Sequence, residues 1–185
     1  TDFDSRLNMS WVMPLLGYRT VGAKGRVVPS LVYFDLSTWH RINLLYAPKF
    51  LGSLRELQAF FTDPVPYRRL VHVIERRLGH ELLGRTESAK IALSDSAHVA
   101  LDLAAIEAGL AVAPTRAELL ELLGDLLARL VAVGSSTVVA AGMRPVDVST
   151  LYFTGGSSGM TALRSAFAGA FPDSRVVVGD LFGSV

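Results

Sequence analysis

The chain has 185 residues, no cysteine and a formal net charge of +1, from 18 Lys and Arg against 17 Asp and Glu. This balance lacks the positive excess that non-specific nucleic-acid binding needs, and the missing thiols exclude disulfides, thiolate metal sites and cysteine nucleophiles. With 50% hydrophobic residues the chain can bury a core, as one domain or two small subdomains.

The sequence shows no signal for a membrane or for export. No uninterrupted apolar run approaches the roughly 20 residues that cross a bilayer, and the opening residues have no signal-peptide layout. We therefore expect a cytoplasmic protein with no membrane and no nucleic-acid partner. The chain lacks an initiating methionine, ends in apolar residues 181–185 and has a mean hydropathy of +0.38, so we also expect a fragment with a bare interface.

The first third predicts helices separated by a loop. Apolar residues recur every four positions from Phe3 to Leu15, which predicts a first helix. Residues 17–30 are rich in glycine and basic residues and predict a loop without a Walker phosphate pattern. Residues 31–34 predict a short strand, Ser37 or Thr38 predicts the cap of a helix over 39–46, and a further short helix is predicted over 54–61.

Clear boundary signals follow. Asp63 before Pro64 predicts a helix start, and an amphipathic pattern continues to about residue 94, bent or divided at Gly79 and Gly84. Alternation in 98–106 and 110–113 predicts a β-hairpin. Thr115 and Glu118 form a capping-box pattern that predicts a long, largely buried helix to about residue 141.

The last segments predict a strand, a glycine turn, a helix over about 158–170 and a final strand over 175–178. This order is an α/β layout, whereas the earlier part mixes helices with a hairpin, so the fold class is α/β (α+β). We expect two subdomains, residues 1–120 and 121–185, with their junction near residues 115–125.

The glycine turn, residues 151–160 (LYFTGGSSGM), is the candidate ligand site. Gly155 and Gly156 allow close approach of the main chain to a ligand, while Ser157 and Ser158 add hydroxyl donors, one of which caps the next helix. A phosphate or a ribose suits such a turn, and so does a purely structural role. The four histidines have no shared metal spacing, no carboxylate pair is distinctive, and no Gly-x-Ser-x-Gly motif occurs.

Four segments together resemble a known family: TDFDSRL at 1–7, TESAKIALS at 86–94, PTRAEL at 114–119 and LYFTGGSSGM at 151–160. In order and spacing they are similar to the second lobe of the ATPase domain in DnaK-type seventy-kilodalton heat-shock chaperones. The resemblance covers residues 1–16 and 65–185. Residues 17–64 depart from DnaK and look like a divergent insertion of the YegD-like putative chaperones.

The resemblance implies an actin-like ATPase fold that grips adenosine between two subdomains of this lobe, the outer at 1–120 and the inner, incomplete one at 121–185. Its adenosine-contacting helix segment corresponds here to Glu87, Lys90 and Ser94, whose spacing fits one helix face. Two positions where family members often carry arginine hold Ile91 and Gly159 instead. The implied nucleotide-binding residues are Glu87, Lys90, Ile91, Ser94, Gly155, Gly156, Ser157, Ser158 and Gly159.

The resemblance also implies ATP or ADP as ligand and Mg²⁺ bound only through the missing first lobe, so we expect no catalytic residue and no metal site in this chain. The parent protein would bind and hydrolyse ATP with lobe closure as a switch, while the fragment alone would not turn over. Implied partners are the first lobe and nucleotide-exchange or co-chaperone proteins. Thr1 replaces a usual acidic residue, and Asp180 lies near a family nucleotide segment.

Two other functions stay open from the sequence. One is a non-catalytic scaffold or regulatory module of the same fold that has lost nucleotide binding, which Gly159 allows. The other is a carbohydrate kinase of the same fold, although the FDSR and AKIALS segments are not typical of that class.

Overall fold

The computed structural model describes residues 2–22 and 25–179, which divide into two compact units. The first comprises Thr1–Lys90 with His98–Thr115, and the second comprises Ile91–Ala97 with Arg116–Val185. The first unit is mainly helical with one hairpin, and the second combines helices with a parallel strand pair. The assignment of outer and inner subdomains at residue 120 stays a prediction.

Five helices build the first unit around a core that includes Leu7, Leu36, Leu70 and Leu82. They are α1 (Asp2–Trp11), α2 (Leu31–Leu36), α3 (Pro48–Leu57), α4 (Pro64–Glu75) and α5 (Gly79–Ala92). The last two residues of α5 belong to the second unit. Short 3₁₀ segments lie at Met13–Leu16, Ile42–Tyr46 and Gln58–Phe60. The predicted first helix is confirmed as α1 and the following 3₁₀ turn.

The start of α4 follows its local sequence. Asp63 is extended and its carboxylate accepts a hydrogen bond from the Val65 amide at 2.9 Å, with Pro64 at the first helical position. The predicted division of the helical region is confirmed at residues 76–78, between α4 and α5. Gly84 causes no break, because α5 runs through it.

The prediction for residues 31–46 is wrong in two respects. Residues 31–34 form the first turns of α2 rather than a strand, since a short apolar run has no period that separates the two states. Ser37 and Thr38 end α2 instead of capping the next helix: Ser37 is its C-cap, and the Thr38 hydroxyl donates to the Phe34 carbonyl at 2.8 Å. In place of the helix predicted over 39–46, the structure has a 3₁₀ segment at Ile42–Tyr46. The helix predicted over 54–61 corresponds to α3, which begins six residues earlier, at Pro48.

The hairpin is confirmed, with strands shorter than predicted. Strand β1 (Leu101–Asp102) pairs antiparallel with β2 (Ala111–Val112), and a bridge joins His98 to Thr115. Gly109 has φ +78° in the connecting turn, a conformation that favours glycine. The Asp102 carboxylate accepts from the Ala104 amide at 2.9 Å, which ends β1 in a local turn.

The second unit contains α6 (Arg116–Ala140), β3 (Thr150–Phe153), α7 (Thr161–Ala170) and β4 (Arg175–Val178). Strands β3 and β4 pair in parallel, from Thr150 opposite Arg175 to Phe153 opposite Val178. The Phe167 ring meets Phe153 edge-on at 5.9 Å. A Cβ at Gly134 would lie 2.8 Å from Phe167, so glycine is needed where α7 packs on α6. The predicted strand, turn, helix and strand are confirmed.

Helix α6 has the predicted length but is not largely buried. Its buried residues are Leu119, Leu123 and Leu127, one stripe at intervals of four, whereas Val133 is 64% exposed. The start at Arg116 agrees with Thr115 as the cap residue, and the reciprocal Thr115–Glu118 bonds stay a prediction. In length and composition alone α6 is also able to cross a membrane, and one such helix is weak support for a span.

Candidate functional site

Within the glycine turn, one residue, Thr154, separates the end of β3 at Phe153 from Gly155. Gly155 has φ +85° and ψ 162°, a region that essentially only glycine adopts. A Cβ added at Gly155 or Gly156 would meet no heavy atom within 4 Å among the residues that the structure describes. The backbone of this turn therefore borders open space and is accessible to a ligand.

Two side chains hold the glycine turn in place. The Ser158 hydroxyl donates to the Gly155 carbonyl at 2.6 Å. Nη1 of Arg164 donates to the carbonyls of Ser158 and Gly159, both at 3.1 Å. The predicted serine cap of α7 is wrong: Met160 occupies the N-cap without a side-chain hydrogen bond, because Ser158 bonds within the turn instead.

On α5, the predicted adenosine residues lie in different environments. Glu87 is exposed, Lys90 is 2% exposed, and Ile91 is 54% exposed. The regular helix ends at Ala92, two residues before Ser94, so the single helix face deduced from the spacing covers only Glu87 and Lys90. Ser94 is half-buried in the following turn, and its carbonyl accepts a hydrogen bond from Arg116 at 3.2 Å.

Lys90 is engaged in a buried ion pair with Asp4. Its Nζ lies 2.6 Å from Asp4 Oδ1, and neither side chain is more than 5% exposed. Beside this pair, Asn8 donates to Ser37 at 3.0 Å and accepts from the Thr86 hydroxyl at 3.2 Å. These polar contacts join α1 to α2 and α5. For its ammonium to reach a ligand, Lys90 would have to leave Asp4.

Sequence reasoning missed the roles of Asp4 and Arg164. In the sequence, Asp4 indicates only a favourable charge at a helix N-terminus. Its position one turn before Asn8, on the same side of α1 as Phe3 and Leu7, was the signal that this carboxylate is buried. Arg164 lies in the first turn of α7, where a long side chain can reach back to the preceding turn.

Within residues 2–22 and 25–179, no group of three or more His, Cys, Asp or Glu is placed to hold a metal ion. His72 Nε2 lies 3.2 Å from the Ala105 carbonyl, and the His80 ring packs edge-on against Trp39. Thr1 and Asp180, which the sequence also singled out, lie outside the described residues.

The candidate residues divide between the two units. Glu87 and Lys90 belong to the first, while Ile91, Ser94 and the glycine turn belong to the second. The joint role of these segments in binding adenosine stays a prediction. The glycine turn fits a nucleotide through its open backbone, whereas Lys90 in its present ion pair does not present a free ammonium.

Comparison with known proteins adds a family. The family model described as Hsp70 protein matches residues 69–175, more than half of the chain, and the match includes both candidate segments. No solved structure matches the chain. The Hsp70 family consists of chaperone ATPases and implies an actin-like ATPase fold, with which the mixed helices and sheet agree. The chain therefore belongs to the Hsp70 protein family.

Proposed function

We propose that this chain supplies adenine-nucleotide-binding residues to a DnaK-like chaperone ATPase. The observation that carries the proposal is the Hsp70 family match, because it includes residues 87–94 and the glycine turn together. In this proposal the ligand is ATP or ADP. The residues of the proposed site are Glu87, Lys90, Ile91, Ser94, Gly155, Gly156, Ser157, Ser158 and Gly159.

The local geometry gives these residues unequal roles. The open backbone at Gly155 and Gly156 lets a nucleotide approach the main chain without a side chain in the way. Exposed Ile91 offers apolar surface to a purine, and exposed Glu87 offers a carboxylate to ribose hydroxyls. Lys90 contributes by fixing α5 against α1 through Asp4.

Hydrolysis needs groups beyond these. Phosphoryl transfer depends on charge neutralisation at the γ-phosphate, normally by Mg²⁺ and a lysine, and we propose that residues outside this chain supply both. We assign the chain to the second lobe of the ATPase domain, with a YegD-like insertion at residues 17–64, in a cytoplasmic parent protein that hydrolyses ATP and works with nucleotide-exchange or co-chaperone proteins.

The exposed apolar surface of the second unit supports a first lobe as the immediate partner. Val133 and Val139 on α6 and Tyr152 on β3 are each more than half exposed. Where such side chains form one contiguous patch, they are typical of a surface that packs against further protein.

The test is calorimetric titration of the natural full-length protein with ATP, using Gly156→Ala and a matched glycine substitution. Among the described residues an added methyl at Gly156 meets no heavy atom within 4 Å, so the fold is kept while close approach of the nucleotide is blocked. We expect the dissociation constant to rise by about tenfold or more, which corresponds to ~1.4 kcal/mol. Gly169→Ala on α7 also meets no neighbour within 4 Å and should leave affinity unchanged.

Absence of ATP and ADP binding at millimolar nucleotide would replace this proposal with the non-catalytic scaffold. Equal affinities of the two alanine variants would remove the glycine turn from the site. We also expect the isolated 185-residue chain to show no ATP turnover, and activity that persists after contaminating chaperones are removed would contradict that expectation.

A further inference from the structure

A cavity of about 630 Å³ lies in the first unit, lined by residues of α3 and α4. Leu51, Leu54 and Arg55 come from α3, where intervals of three and four place them on one side of the helix. Arg68 and Val71 come from α4 and share one side of it for the same reason. The volume lies within the range of roughly 300–1,000 Å³ that small-molecule sites occupy.

The wall of this α3–α4 cavity is partly apolar and partly exposed. Leu54 is 3% exposed and forms part of the packed wall, while Leu51 is 38% exposed. Val71 is half-buried on the α4 side. These three side chains give an apolar ligand a surface from which it can displace water.

The charged groups at the α3–α4 cavity favour an anion. Arg55 and Arg68 supply two guanidinium groups, against the single carboxylate of Glu75. Both arginines are exposed, and within the described parts of the chain neither guanidinium group makes a hydrogen bond or ion pair. Arg69 differs, because it donates to both oxygens of Glu107 at 2.8 and 3.0 Å, and Arg68 adds only a weaker field that lowers the Glu107 pKa further.

We propose that the α3–α4 cavity binds a small amphipathic anion, a carboxylate attached to an apolar chain. The apolar chain lies along Leu51, Leu54 and Val71, and the carboxylate accepts hydrogen bonds from Arg55 and Arg68. Guanidinium groups suit this head group because their donors match the two oxygens of a carboxylate. Glu75 lies seven residues beyond Arg68, which is about 10 Å along the helix. Its carboxylate is therefore distant from the arginine end of the cavity, where the head group binds.

This site is independent of nucleotide binding, because none of its lining residues belongs to the proposed adenosine set. It also gives a function to the region around residues 48–58, which belongs to the segment that departs from DnaK. The volume lies in the range of small-molecule sites, and on that ground we place the ligand in the small-molecule class.

The test is titration of the 185-residue chain with three probes of equal chain length: sodium octanoate, 1-octanol and octylammonium chloride. We expect octanoate to bind with a dissociation constant of about 1 mM, as its small size allows. The alcohol and the amine should bind at least about tenfold more weakly, since they lack charge-assisted bonds to the arginines. Added sodium chloride should weaken octanoate binding.

Variants separate the charge effect from the apolar effect. The double variant Arg55→Gln/Arg68→Gln should weaken octanoate binding by about tenfold or more, because it removes both charged donors. Arg129→Gln/Arg175→Gln removes the same charge at exposed positions in the second unit and should change nothing. Val71→Phe fills the cavity and should also abolish binding. Amide NMR spectra should show octanoate-dependent shifts concentrated in α3 and α4.

Equal binding of octanol and octanoate, or of the two arginine double variants, would overturn the proposal. So would NMR shifts concentrated in the exposed apolar residues of α6. Tighter binding of an acidic amphipathic peptide than of octanoate would show that the cavity is part of a protein interface, and the small-ligand assignment would then be wrong.

Discussion

Replacing Lys90 by methionine tests whether the buried ion pair holds the first unit together. The Lys90 ammonium and the Asp4 carboxylate are 2.6 Å apart, with side chains 2% and 5% exposed. Lys90→Met removes the cation and leaves the buried carboxylate without that partner. Breaking such a pair from one side costs about 3–5 kcal/mol of folding free energy, which is a large share of the stability of an ordinary domain.

The double variant Asp4→Leu/Lys90→Met separates the cost of removing the lysine partner of a buried carboxylate from the cost of lost packing. Replacing both partners of a buried pair by apolar residues is often close to neutral. We therefore expect the double variant to recover at least about half of the loss caused by Lys90→Met. Lys49→Met, at an exposed position on α3, should change stability by no more than about 0.5 kcal/mol.

Urea unfolding followed by circular dichroism at neutral pH measures these differences. The slope of each transition shows whether the variants unfold as the same cooperative unit. A loss below about 1 kcal/mol in Lys90→Met, or a double variant no more stable than the single one, would refute the reasoning. The ion pair would then contribute little, and the Lys90 ammonium would be free to serve a ligand.

Three further predictions follow from local geometry. Gly79→Ala should destabilise the chain by about 1–3 kcal/mol in urea unfolding, because its Cβ would lie 2.7 Å from Ile42. Gly84→Ala on the same helix adds a Cβ that meets no heavy atom of the described residues within 4 Å, and should stabilise the chain by up to about 1 kcal/mol. The hydrogen bond from Arg69 lowers the pKa of Glu107 in the folded chain, and the ionised carboxylate therefore stabilises the fold. This contribution is fully present above the unfolded pKa of about 4.3 and is lost as the pH falls through the folded pKa. Glu107→Gln should therefore lower the urea midpoint at pH 6, and the difference in midpoint from the parent chain should narrow as the pH falls below the unfolded value of about 4.3 and close below the folded value. Arg164→Gln should accelerate amide hydrogen exchange over residues 155–159, since it removes two hydrogen bonds from the glycine turn.

A different result would contradict each of these three predictions. Equal stabilities of the two alanine variants would show that the Gly79 contact relaxes at no cost. If the difference in urea midpoint between Glu107→Gln and the parent chain persists at acid pH, titration of Glu107 is not its cause. Unchanged exchange in Arg164→Gln would show that the Ser158 hydroxyl bond alone keeps the glycine turn ordered.

Local signals in the sequence predict an element correctly where they determine the backbone conformation directly. Asp63 and Pro64 start α4 because a side-chain acceptor and a fixed φ both favour that position. Gly109 marks the hairpin turn for a comparable reason, since glycine tolerates positive φ. The parallel pair of β3 and β4 with the helix between them also follows from the alternation of local patterns.

Contacts between distant residues account for what the sequence did not predict. Lys90 and Asp4 are 86 positions apart, so no local pattern shows that they meet in the core. Residues 31–34 favour a strand by composition but form a helix, because burial of Val32, Tyr33 and Leu36 decides the outcome. The extent to which α6 is covered likewise depends on its neighbours and not on its leucine content.

Photo-crosslinking the natural full-length protein with an azido-adenosine analogue of ATP tests the central claim most directly. The account predicts that labelling is suppressed by excess ATP and that mass spectrometry locates it within residues 87–94 or 155–159. Labelling that ATP does not suppress, or ATP-suppressed labelling confined to residues outside both segments, would contradict it.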